Sequence, residues 1–344
     1  MAGRDTRQPI VIGVAVALCI AIAIAIGVAL LNDEDPSERD VAGTPLDGCT
    51  TIDTPGRYTL RSNVTDVTDH NCLRITADDV ILEGGSHRID GQGTFGTAGV
   101  LVGGFNRPVA NVTVRNLTVT DWDDGIRYLR VTDGTVTATR TADNRIGITL
   151  LRTNNSRVVR NYAHSNAVYG ISLQEHSTKN TLVKNRAAEN TLFGIELVAN
   201  ASNNRLISNQ VSRNEHGLAL IGVDNTTVVN TTARSNRIAG IWSSESDGTT
   251  LVNNTVSNRF YGIYLGDQTN ANRLVANRAI DNRVGLRLLH SANNLLAGNV
   301  ATSNRIEGIL LLASDNTVLR ENHLTDNGAG VVVARSSNVS RERG

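Results

Sequence analysis

One phrase recurs along most of this chain: a glycine, an aliphatic residue, a variable residue and a second aliphatic, with an asparagine a few positions ahead. The glycines are Gly125, Gly147, Gly170, Gly194, Gly217, Gly240, Gly262, Gly285, Gly308 and Gly330, at intervals of 22 to 24 residues. A fixed period in that range specifies a solenoid, in which each repeat buries its apolar face only by stacking on its neighbours. Ile, Leu or Val follows every glycine, and the position two further on is aliphatic in all repeats but those of Tyr128 and Ser243. Between them runs a mixed column: Arg127, Thr149, Ser172, Glu196, Ala219, Trp242, Tyr264, Arg287, Leu310 and Val332. Such in-out-in alternation is a half-buried strand.

Each repeat holds two more short strand-like pieces punctuated by Asn, as in Asn180–Ala187 and Asn272–Ala279. Asn tolerates the left-handed conformation and its side chain bonds nearby backbone, which suits tight corners. Three short strands and three corners fill about 23 residues, whereas a strand plus a packed helix needs an apolar stretch of period 3.6, and none is present. Like residues of successive coils then lie about 4.8 Å apart along parallel ladders. The expected fold is an all-β parallel β-helix of about ten coils, with a core of Ile, Leu, Val and Ala.

Asn258–Leu265 (NRFYGIYL) and Asn190–Leu197 (NTLFGIEL) resemble repeats of the NosD-like right-handed parallel β-helix proteins, also called the carbohydrate-binding and sugar-hydrolase β-helix group. The resemblance covers roughly residues 75–335 and implies right-handedness. It also implies a polysaccharide or cell-surface glycan as partner, an activity among lyases, hydrolases or epimerases, or a copper-handling accessory role. Copper delivery favours Met, Cys and His donors. Met1 is the only Met, and the seven His residues show neither His-x-His nor i,i+4 spacing, which argues against the copper role.

Formal charge is zero, so nothing suggests nucleic acid. Residues 10–31 are 22 apolar or small residues without a charge, enough to cross a bilayer as a helix. Arg4 and Arg7 precede them and Asp33, Glu34, Asp35 and Glu38 follow. The positive-inside rule therefore puts residues 1–9 in the cytoplasm and the β-helix outside, on an uncleaved single-pass membrane anchor. Residues 32–46 read as an acidic linker, 47–95 as an N-terminal cap with irregular first coils, 96–335 as the repeats and 336–344 as a polar tail. Cys49 and Cys72, in an extracytoplasmic cap, are expected to form a disulfide. Nine Asn-x-Ser/Thr sequons fit a surface glycoprotein. No obvious cap follows the last repeat, so its ladder edge requires shielding by the tail, a partner or self-association.

The mixed column places Trp242, Tyr264 and Arg287 on three successive coils, with Glu245, Asp267 and His290 three residues further along each. Phe260 and Tyr261 lie just ahead of one strand. Trp and Tyr faces suit sugar rings, so Trp242, Tyr261, Tyr264 and Arg287 are the expected substrate-binding residues. Two carboxylates on neighbouring coils match the roughly 5 Å separation of a retaining glycosidase pair, which makes Glu245, Asp267 and His290 the candidate catalytic set. The same oxygens could hold Ca²⁺. Solvated solenoid corners are also polar without any function. Glu196, Glu215 and His216, near Tyr169 and Phe193, are read as solvated strand-edge charge, and Asp121–Gly125 as a polar corner or Ca²⁺ site. Expected overall is a membrane-anchored surface module that binds glycan without turnover, with a polysaccharide-active enzyme as the alternative.

Overall fold

The computed structural model describes residues 43–68 and 70–342, and every one of its long ladders is parallel. Each coil contributes one strand to each of three faces. In one repeat these are Arg157–Val159, Tyr162–His164 and the six-residue Tyr169–Gln174. Stacked, they build a 14-stranded first face, an 11-stranded second face and a 13-stranded third face that carries the repeating glycines. Residues one repeat apart pair directly, as Ile148 with Ile171 and Ile171 with Ile195. Inward side chains such as Val158, Ala163, Ile171 and Leu173 are fully buried. The described residues contain no helix. The apolar run 10–31 lies outside them.

There are about 13 turns where the glycine count implied about ten. The additional third-face strands are Thr50–Ile52, Asn71–Ile75 and Ala98–Gly103. In the first two, Cys49 and Cys72 occupy the place of the glycine, since Thr50 pairs with Leu73 and Leu73 with Val100. The phrase is therefore hidden from a search for glycine, although the ladder is continuous. The same register places the two sulfurs side by side, and Cys49–Cys72 is a disulfide across adjacent rungs with a Cα–Cα distance of 4.4 Å. Thr44–Leu46, at the end of the acidic stretch, pairs with Tyr58–Leu60, and Ser340–Glu342 of the polar tail pairs with Val318–Arg320. The last coil borders a cavity of about 480 Å³ lined by Ile309, Leu319, Leu324 and Val331 among others.

Exposed corner asparagines such as Asn155, Asn200 and Asn225 take the expected left-handed conformation, with φ of 57°, 61° and 53°, but the buried repeating asparagines act differently. At the corners the left-handed residue is the one before the repeating Asn: Lys179, Lys184 and Glu189 have φ of 58°, 54° and 61°. Asn180, Asn185 and Asn190 point inward and are buried. They form ladders along the axis, in which Asn161 N and Nδ2 both donate to Asn185 Oδ1 at 3.0 Å. Asn185 Nδ2 then donates to the Val158 carbonyl at 2.7 Å and to Asn209 Oδ1 at 3.0 Å. Corner backbone that leaves the strand ladders is thereby satisfied inside the core, where an unpaired amide is costly. The amide side chain serves because it donates and accepts at once.

Candidate functional site

The third face owes its chemistry to a break in alternation at the glycine. A Cβ on Gly217 would meet Val211 Cγ2 at 2.7 Å, Asn236 Nδ2 at 2.8 Å and the Gly240 carbonyl at 2.6 Å, all on the core side. Glycine and the aliphatic after it both face inward, so the residue before the glycine turns outward. A second outward column results: Tyr169, Phe193, His216, Ala239 and Tyr261 in register. It runs beside the mixed column Ser172, Glu196, Ala219, Trp242, Tyr264 and Arg287.

Side chains of the two columns merge into a strip. Tyr169 stacks on Phe193 with centroids 5.4 Å apart, and Phe193 contacts His216 at 5.5 Å and Trp242 at 5.9 Å. Trp242 stacks on His216 at 4.8 Å. Ala219, between Glu196 and Trp242 in its column, leaves the space over which the indole lies. The next rung carries both Tyr261 and Tyr264, 5.2 Å apart. The Arg287 guanidinium lies 5.0 Å from the first ring and 5.1 Å from the second, and donates to Tyr261 Oη. Arg287 Nε is buried without a hydrogen-bond partner. Of the expected binding residues, Trp242, Tyr261, Tyr264 and Arg287 thus share one face.

A carboxyl group and an imidazole lie within this strip. Glu196 is 4% exposed, and burial raises its carboxyl above the usual range, partly offset by hydrogen bonds from Ser172 and Tyr169. Ser172 Oγ donates to Glu196 Oε2 at 2.7 Å, and Gln174 Nε2 donates to Ser172 Oγ at 2.9 Å. His216, 9% exposed, has its pKa pushed down to about 4 by burial, so the imidazole is neutral at pH 7. Its Nδ1 is buried without a partner. Glu196 and His216 are therefore interior groups of an aromatic patch, which corrects the reading of them as solvated strand-edge charge. Glu215 alone fits that reading, paired with Arg237 at the surface.

The expected catalytic residues lie elsewhere. Glu245, Asp267 and His290 stand at the corner after the third face, with φ of 51°, 28° and 50°. All three side chains are exposed. His290 Nδ1 is 3.5 Å from Asp267 Oδ1, with both side chains more than half exposed. Asp121–Gly125 forms the expected corner, with Asp121 at φ 60°, but most of it is buried. Trp122 is buried in the core, where its backbone N caps the asparagine ladder by donating to Asn144 Oδ1 at 3.0 Å. Asp123 and Asp124 are buried beside Arg145 and Arg127, and Thr149 Oγ1 donates to Asp124 Oδ1 at 2.9 Å. Among the described residues no three His, Cys, Asp or Glu side chains come together as a group able to hold a metal ion.

The right-handed β-helix region family matches residues 62–233, half of the chain. The chain belongs to the right-handed β-helix proteins. Its C-terminal coils also match the NosD family, described as a periplasmic copper-binding protein, over residues 193–295 and 216–342. Among the described residues the two cysteines are bonded to each other. No curated protein sequence matches. Among solved structures, the A-module of the Azotobacter vinelandii mannuronan C-5 epimerase AlgE4 superposes with a TM-score of 0.72 at 18% identity, covering 83% of this chain and 91% of that one. The periplasmic alginate epimerase AlgG gives 0.58 at 16%, covering 83% and 77%. The Dettilon tailspike protein gives 0.63 at 15%, covering 83% and 60%. At these identities the likeness is one of fold.

Proposed function

We propose that this β-helix binds a polysaccharide along the outward side of its third face, at the strip from Tyr169 to Arg287. The observation that carries the reading is a run of rings on five consecutive rungs, packed on one another from Tyr169 to Trp242 and again between Tyr261 and Tyr264, all but His216 partly exposed. Planar rings with polar edges present the amphipathic surface that sugar rings stack on, and the strip is about 19 Å long from Tyr169 to Tyr261 at one rung per 4.8 Å. The similar solved structures, two epimerases of alginate or mannuronan and a phage tailspike, are consistent with such a partner. Delivery outside the cytoplasm, on an anchor formed by residues 10–31, belongs to the same proposal. The disulfide fits an oxidising compartment.

The test is glycan binding by the full-length chain to panels of uronate and neutral polysaccharides. Trp242→Ala should weaken binding at least tenfold, while Glu245→Gln and Asp267→Asn at the solvated corner should leave it unchanged. A wild-type chain that retains none of the glycans would overturn the reading.

One observation favours turnover as a second reading. Glu196 and His216 place a carboxyl group and an imidazole on adjacent rungs inside the strip, the two kinds of group that general acid–base catalysis uses. New chain ends, unsaturated ends or epimerised units that vanish in Glu196→Gln while binding persists would establish it. Binding without any such product would confine the face to recognition.

A further inference from the structure

The outward columns do not stop at Tyr169. Pairing continues the mixed column back through Thr149, Arg127 and Leu101 to Arg74 on the second rung. There the face meets a cleft of about 260 Å³ lined by Asp53, Arg74, Thr76, Gly103, Phe105 and Asn106 among others. These residues come from the first three rungs, so the cleft closes the N-terminal end of the face.

Three features distinguish this cleft from an ordinary loop crevice. Phe105 is 64% exposed, one of two phenylalanines left open in a chain that has four. Its segment is nevertheless held: the Phe105 carbonyl accepts from Arg130, and Arg107 Nη2 donates to Asp78 Oδ2 at 2.6 Å. The other exposed ring, Phe95, differs in having the Arg145 guanidinium 5.7 Å away. Finally, Arg74 and Asp53 make no side-chain hydrogen bond or ion pair within the described residues, whereas Arg107 beside them is neutralised by Asp78. An open aromatic ring on a held segment, a guanidinium and a carboxylate without a partner among the described residues therefore border one small cavity. Its volume is just below the roughly 300 Å³ at which drug-sized sites begin, which suits a single sugar unit.

We infer that the Phe105 cleft is a separate subsite for one sugar unit near an end of the bound polysaccharide, with the ring against Phe105, hydroxyl oxygens accepting from Arg74 and a hydroxyl donating to Asp53. The inference rests on the proposed glycan-binding face and adds a chain-length requirement. From the second rung to the Tyr169 rung is four steps, about 19 Å, and to the Trp242 rung seven steps, about 34 Å, at one step per 4.8 Å. A short oligosaccharide on the strip cannot reach the cleft, and a long one can.

The experiment is calorimetric titration of the full-length chain with tetrasaccharides and dodecasaccharides of mannuronate, galacturonate and cellulose type. The wild type should bind the dodecasaccharide of its preferred series at least tenfold more tightly than the tetrasaccharide. Phe105→Ala and Asp53→Asn should each remove most of that gain and leave tetrasaccharide binding unchanged, whereas Trp242→Ala should weaken both lengths. Both cleft residues are exposed, so their replacement does not threaten the fold. Retention of the full gain in Phe105→Ala and Asp53→Asn, or its absence in the wild type, would overturn the subsite and leave the strip standing. A wild type that binds no oligosaccharide of any series overturns both.

Discussion

Replacing Asn185 by alanine should be among the most damaging single changes in the solenoid, although the side chain removed is small and polar. Four hydrogen bonds pass through its amide: two from Asn161 N and Nδ2 to its Oδ1, and two from its Nδ2 to the Val158 carbonyl and Asn209 Oδ1. Asn185 is fully buried, as are Asn161, Val158 and Asn209, so no water replaces the missing partner. At about 1 kcal/mol for each hydrogen bond lost, the loss is about 4 kcal/mol, even though Asn161 Nδ2 keeps the Val136 carbonyl and Asn209 Oδ1 keeps Asn185 N. Asn200 is the control. It has φ 61° and is exposed, so Asn200→Ala forfeits only a left-handed preference worth about 1 kcal/mol. Urea unfolding followed by circular dichroism on wild type and both variants, with slopes compared to detect loss of cooperativity, measures the difference. If Asn185→Ala falls within about 1 kcal/mol of Asn200→Ala on the same scale, the ladder account of the asparagines is wrong.

The remaining predictions follow from the same geometry. His216 is buried neutral with its pKa down to about 4, so below pH 6.5 the unfolded chain takes up a proton that the folded chain resists, and stability falls as pH falls from 6.5 to 4. Relative to His216→Phe, the wild type should lose about 2–3 kcal/mol across that window; parallel pH profiles would refute the burial argument, and Glu196, whose raised pKa acts in the opposite sense, cancels in the comparison. Reducing Cys49–Cys72, which closes a separation of 23 residues, should cost about 3 kcal/mol, read as earlier hydrogen exchange in the first two rungs. Gly194→Ala should destabilise by about 1–3 kcal/mol, because its Cβ would lie 2.7 Å from both Asn214 Nδ2 and the Gly217 carbonyl; an unchanged melting temperature would show that the rungs can spread.

Which side chains share a face was harder to read than which segments are strands. The mixed column was legible because alternation on the C-terminal side of the glycine is regular, and Trp242, Tyr264 and Arg287 fell in one row. The column before the glycine was not, because two consecutive inward residues break the period of two, and simple alternation would have turned Tyr169, Phe193 and His216 inward. Residue type misled at the acids. Glu245 and Asp267 looked like a catalytic pair on spacing alone, yet they occupy the left-handed corner, where the chain turns and side chains meet water. Glu196 looked ordinary in sequence and is the carboxylate that burial perturbs.

The sequence by itself determined the rung. A 22–24-residue period of glycine, aliphatics and asparagine admits stacked parallel strands and little else, since only neighbouring copies can cover its apolar face. Tertiary structure decided what the rungs bring together. Stacking at one residue per step sets Cys49 against Cys72, Trp242 on His216 and Arg74 in line with Arg287, across separations that no local pattern encodes. It also decided which polar groups keep their water, and with that the upward shift of the Glu196 carboxyl and the downward shift of the His216 imidazole, because burial is a property of the stack and not of the residue.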